Sequence, residues 1–169
     1  MAHLVLRHEM DCDTDTYWEK CVLTEDFNRR LFLEGLNFLK YELLEQKDLG
    51  DTVTRRVKAE PKSANIPAPI KKAIGDSLGY TEEGSYDRKT KVYSFRSIPA
   101  AFPDKVKIKG TMRCEPLGDK RVTRVTEIDV DVKIFMIGGM VEDRIVSDMK
   151  DSYKKAAEFT SAYVKEKGY

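Results

Sequence analysis

The chain has almost no net charge with which to draw a charged partner: 30 Lys and Arg stand against 29 Asp and Glu over 169 residues, a formal +1. The basic excess of a nucleic-acid binder is missing, so no nucleic-acid partner is expected. No run of about 18 apolar residues occurs, so no helix is expected to span a membrane. The opening segment, MAHLVLRHEMDC, meets Arg7 and Glu9 too early to form the apolar core of a signal peptide. A cytoplasmic location is the expectation. Cysteine is scarce and odd in number. Cys12, Cys21 and Cys114 form no C-x-x-C pair and are expected to be free, buried thiols. With only His3 and His8 beside them, no familiar zinc spacing can be assembled, and neither a metal nor a cofactor is expected. The chain also lacks G-x-S-x-G, H-E-x-x-H and any glycine-rich phosphate loop. It has no internal repeat and no low-complexity stretch.

What is present is 41% hydrophobic residues, too many for a disordered chain and enough for one core. Residues 1–169 are expected to form a single domain. Leu4, Leu6, His8 and Met10 alternate with Arg7 and Glu9, the pattern of a half-buried strand. Asp13 or Thr14 then suits a helix N-cap, followed by Tyr17, Trp18, Cys21 and Val22 at helical spacing. A second short helix, capped near Thr24, is expected to bury Phe27 and Leu31 and to end near Gly35.

From Leu36 the period becomes two. Leu39, Tyr41 and Leu43 form one inward set; after an LGD turn, Val53, Arg55, Val57 and Ala59 form the next. Prolines 61, 67 and 69 interrupt the sheet, and IKKAIGDSLG reads as a short helix with Gly79 beyond its end. Four strands follow: Tyr80 to Arg88, Lys91 to Ser97, one through Val106, Ile108, Gly110, Met112 and Cys114, and a long one from Val122 to Ile134 that Gly138 and Gly139 break. Residues 140–167 read as one helix, with Val141, Ile145, Met149, Ser152, Ala156, Phe159 and Tyr163 on one stripe. Antiparallel strands with one polar face must cover the other, and this helix has the matching stripe. The fold class is α+β: a helix-grip arrangement, with a curved antiparallel sheet of six or seven strands wrapped around a long C-terminal helix.

Over essentially the whole chain this pattern resembles the START-like superfamily of polyketide-cyclase and pollen-allergen type (SRPBCC), and within it a group of uncharacterised bacterial START-like proteins. The segments that carry the resemblance are LRHEMDCDTDTYWE, NIPAPIKKAIGDSLGYTEE and FMIGGMVEDRIVSDMKDSYKKAAEFTSAYVKE. The proline-flanked insert at 61–79 departs from many small members. The resemblance implies a deep apolar cavity between sheet and terminal helix, holding a lipid, sterol, isoprenoid or polyketide-like molecule. Cyclase or aromatase activity and a co-chaperone-like protein-interaction module are the alternatives on the same fold.

On that arrangement the candidate ligand-binding residues are His8, Tyr41, Arg55, Val57, Phe95, Ile108, Met112, Ile128, Val130, Ile145 and Met149. Periodicity alone is equally compatible with a filled core. The several methionines favour an adaptable lining. Gly110 in mid-strand either permits sheet curvature or leaves space beneath the helix. His8, Arg55, Arg124 and Thr126 place polar groups on otherwise apolar faces, where a charge needs a partner or a ligand head group. Arg124, near a turn, is expected to reach water instead. No catalytic residue is assigned: Glu127, Asp129 and Asp131 alternate on an outward face, where solvation explains them. The segment 66–74, IPAPIKKAI, is expected to cap the sheet edge, with a lid over the cavity or a transient contact with an anionic membrane as the functional readings.

Overall fold

In the computed structural model, which describes residues 1–62 and 65–169, the alternating segments pair into one sheet. Its strands are β1 (Ala2–Met10), β2 (Lys40–Asp48), β3 (Thr52–Glu60), β4 (Tyr80–Asp87), β5 (Val92–Pro99), β6 (Val106–Gly118) and β7 (Arg121–Val132). All neighbours are antiparallel, in the spatial order β1-β7-β6-β5-β4-β3-β2. β2 to β7 therefore form a meander, and β1 returns to lie beside β7. Because β1 and β2 occupy opposite edges, the chain between them must cross one face of the sheet. It does so as a helical stretch: the π-wound turns Thr16–Val22, α1 (Glu25–Arg30) and the π-wound turns Leu31–Gly35. Asp13 caps its start, the carboxylate accepting the Thr16 N–H at 2.7 Å. α2 (Ala68–Ile74) lies between β3 and β4, and α3 (Gly138–Lys167) ends the chain. This is the helix-grip fold, with seven strands.

Side-chain period explains the two faces of the sheet. On β3, Val53, Arg55, Val57 and Ala59 are all buried, while Arg56 and Lys58 are exposed. The outer face carries a lattice of ion pairs, including Arg113 to Glu127 at 2.9 Å and Arg96 to Glu83 at 2.6 Å. Glu127, Asp129 and Asp131 all sit on that outer face, as expected.

Several boundaries differ from the sequence expectation. Leu39 precedes β2 and is exposed, and a register shift between Leu43 and Glu45 ends the inward alternation of that strand. α2 stops at Gly75, not near Gly79, because Gly75 takes φ +73°, a conformation that favours a residue without Cβ. β7 ends at Val132, and the glycine pair lies inside the first turn of α3 instead of breaking the strand. Phe159 packs its ring on Gly35, which ties the middle of the molecule to α3.

α3 meets the sheet at β1 and β7. There Met10, Ile128 and Val130 are completely buried, and Ala156 and Ala157 of the helix belong to the same core. Phe27 joins this packing, edge-on to Tyr163 at 5.1 Å.

Candidate ligand cavity

Between the helix and the rest of the sheet lies a cavity of about 300 Å³. That is the lower end of the usual size for a small-molecule site. Its floor is the inner face of β3 to β6, its roof is α3 from Val141 to Thr160, and Leu31 and Phe32 wall one end. Ile70 and Ile74 of α2 also line it, so the proline-flanked helix covers the cavity with its apolar side and keeps Lys71 and Lys72 exposed. Ser77, Phe102 and Asp148 are lining residues that are also exposed, which marks where the cavity reaches the surface. Arg144 braces this rim, donating to the Asn65 carbonyl at 2.7 Å and to the Asp148 carboxylate at 2.8 Å.

Seven of the candidate residues come together here: Arg55, Val57, Phe95, Ile108 and Met112 from the sheet, with Ile145 and Met149 from α3. Four do not. Ile128 and Val130 have the inward register but lie in the packed region at β7, with no space above them. Tyr41 stands behind the wall, stacked on Phe32 at 4.8 Å, and its hydroxyl accepts from Arg55 at 3.4 Å. His8 lies on the edge strand beside Arg124. Burial first, then the charges of Arg124 and Lys154, lower its pKa, against an opposing pull from Glu158.

Arg124 corrects the expectation that it reaches water: it is 2% exposed and lines the cavity. The turn is close in sequence, but β1 pairs along β7 as far as Met10 opposite Val122 and covers the site. Gly110 is also explained differently. The space a Cβ would need is taken by the Glu127 carbonyl oxygen, 2.5 Å away, and the Phe95 ring, 2.7 Å away, so the glycine admits a close backbone approach and an aromatic side chain.

A polar cluster was missed. Glu82 on β4 faces the cavity, and the Tyr93 hydroxyl donates to its carboxylate at 3.2 Å. Tyr93 reaches it by lying across Gly84, where its hydroxyl fills the place of a Cβ. Burial raises the Glu82 pKa, opposed by the nearby Arg55 charge and the Tyr93 hydrogen bond. Burial likewise raises the phenols of Tyr80, Tyr93 and Tyr153, and brings that of Tyr17 to about 12. The sequence signal was available: Glu82 shares the register of Tyr80, Gly84 and Tyr86, a polar group on an aromatic face. Tyr17 belongs to the same wall. Its hydroxyl donates to the Met112 sulfur at 3.2 Å, and its ring meets the fully buried Trp18 edge-on. Cys12 and Cys21 are free and buried as expected, whereas Cys114 is half-buried, and burial pushes each thiol up to about 12, away from the thiolate form. Among the described residues, no group of His, Cys, Asp and Glu side chains is placed to hold a metal ion, and no helix is long and apolar enough to cross a membrane.

Comparison with solved structures agrees with this architecture. The Zhui aromatase/cyclase from Streptomyces sp. R1128 superposes with a TM-score of 0.71 at 15% identity, covering 99% of this chain and 96% of that one. A START superfamily protein from Mycobacterium smegmatis gives 0.59 at 13% identity over 92% and 97%. Norcoclaurine synthase from Thalictrum flavum, solved in complex with dopamine and hydroxybenzaldehyde, gives 0.59 at 18% identity over 98% and 88%. At these identities the likeness establishes the START-like fold. No curated protein matches the chain in sequence. Residues 6–164 match the family described as Protein of unknown function (DUF2505).

Proposed function

This chain belongs to the DUF2505 family, and on that premise we propose that it acts as a single cytoplasmic domain that binds, and passes on, a hydrophobic small molecule of lipid, sterol, isoprenoid or polyketide-like type. The observation that carries the reading is the cavity itself, about 300 Å³ between sheet and α3, with Val57, Phe95, Ile108, Met112, Ile145 and Met149 around it. Filling such a space with protein side chains would stabilise the fold, so leaving it open implies an occupant. The methionines give the wall unbranched chains that repack around different shapes. The cap formed by α2, with two outward lysines, suits a cover that is displaced when the molecule enters, and a brief contact of 66–74 with an anionic surface fits the same step.

Native mass spectrometry of gently purified protein, with organic extraction of the same sample, tests the proposal. The expected result is an extractable bound mass. An empty protein that takes up none of a panel of fatty acids, phospholipids, sterols and isoprenoids would overturn it. A second reading, cyclase-like chemistry, is favoured by one observation: a carboxyl group of raised pKa inside the cavity, held by the Tyr93 hydroxyl, is a suitable general acid or base.

A further inference from the structure

We propose, resting on the cavity as a ligand site, that its ligand is amphipathic and seats an anionic head group such as a carboxylate on Arg124. The guanidinium is 2% exposed and belongs to the cavity lining. Its partners are all uncharged oxygens or an imidazole: Nη1 donates to the Tyr17 hydroxyl at 3.4 Å, and Nη2 to the Tyr153 carbonyl at 2.6 Å, with the His8 Nδ1 at 3.5 Å. The Tyr153 ring lies 5.3 Å away, and Nε has no partner at all. On the inner face the flanking strands supply no acid: His8 and Cys114 stand opposite Arg124, with Leu6, Met10, Met112 and Pro116 two residues off, and Glu9 and Glu115 belong to the other face.

Arg55 is the contrast. It is also buried with a partnerless Nε, but Glu82 sits on the adjacent strand two residues off its register, on the same face. Arg55 therefore has a carboxylate on its own face of the sheet, whereas no carboxylate is among the hydrogen-bond partners of Arg124. A buried, unpaired guanidinium is costly, and its planar fork of donors matches a carboxylate. The apolar lining beside it accounts for the rest of the molecule.

The test is calorimetric titration of the full chain with decanoic acid, decanol and decylamine. The wild type is expected to bind the acid about tenfold or more tighter than the alcohol, with the amine weakest. Arg124→Met is expected to erase the preference while leaving decanol affinity unchanged, and Arg124→Lys to retain part of it. Decanol binding as tightly as the acid overturns the inference and leaves the cavity reading standing. So does a preference that survives Arg124→Met but disappears in Arg55→Met. Binding of none of the three overturns both. If Arg124→Met does not fold, the wild-type comparison of acid, alcohol and amine still decides.

Discussion

Over β1 and β7 α3 lies on the sheet, and Met10, Ile128 and Val130 there have no exposed surface. Over β3 to β6 the same helix leaves a cavity, and its lining residues Ile145, Met149 and Tyr153 are only half-buried. Both regions use the same alternation on the sheet and the same stripe on the helix. They differ in what the inward strand residues meet: Ile128 and Val130 are fully buried, whereas Phe95, Ile108 and Met112 border open space. They differ also in polar content. The packed end holds the orphaned Thr126 hydroxyl, whereas the cavity gathers Arg55, Glu82, Tyr93 and Arg124. An inward period therefore marks burial, but whether burial ends in a core or a cavity depends on how closely the covering element approaches.

Truncation should separate the two regions most strongly. Ile128→Ala removes fully packed atoms and is expected to cost about 2–5 kcal/mol by chemical denaturation. Met149→Ala trims a side chain that already borders empty space and is expected to cost about 1 kcal/mol or less. Equal losses would break the comparison.

A smaller effect concerns Glu82. Its folded pKa is raised above the unfolded value, so its contribution to stability is full below the unfolded pKa and is lost as pH rises through the raised one. Denaturation at about pH 5 and about pH 8 should accordingly show a wild-type loss on the alkaline side that Glu82→Gln removes. A wild-type and variant pair with identical pH dependence would place the carboxyl in water. The same variant bears on the cyclase-like reading, because Gln cannot exchange the proton.

The fold was legible because the strands are amphipathic and the last helix carries one apolar stripe, both local patterns. Period put Ile108 and Met112 on the inward face, where they line the cavity, but the cavity itself was implied only by the resemblance. Ile128 and Val130 share that inward register but are fully buried, because the approach of α3 is set by packing that no local pattern on β7 reports. Arg124 was misjudged for a related reason: what buries it is β1, a strand more than a hundred residues earlier in the chain. The Glu82 and Tyr93 pair hinged on Gly84, read only as part of a strand, although a glycine between inward aromatic positions signals a side chain crossing over it.

The most direct test of a ligand cavity against a solid core is the thermal unfolding of Met112→Trp with and without decanoic acid. Met112 borders the cavity at mid-strand, so the larger ring has space to enter. The account predicts that the acid raises the melting temperature of the wild type, and that Met112→Trp melts within about 2 °C of the unliganded wild type and no longer responds. A fall of about 5 °C or more in the variant, with a wild type that the acid does not move, is the signature of an overpacked core and would contradict it.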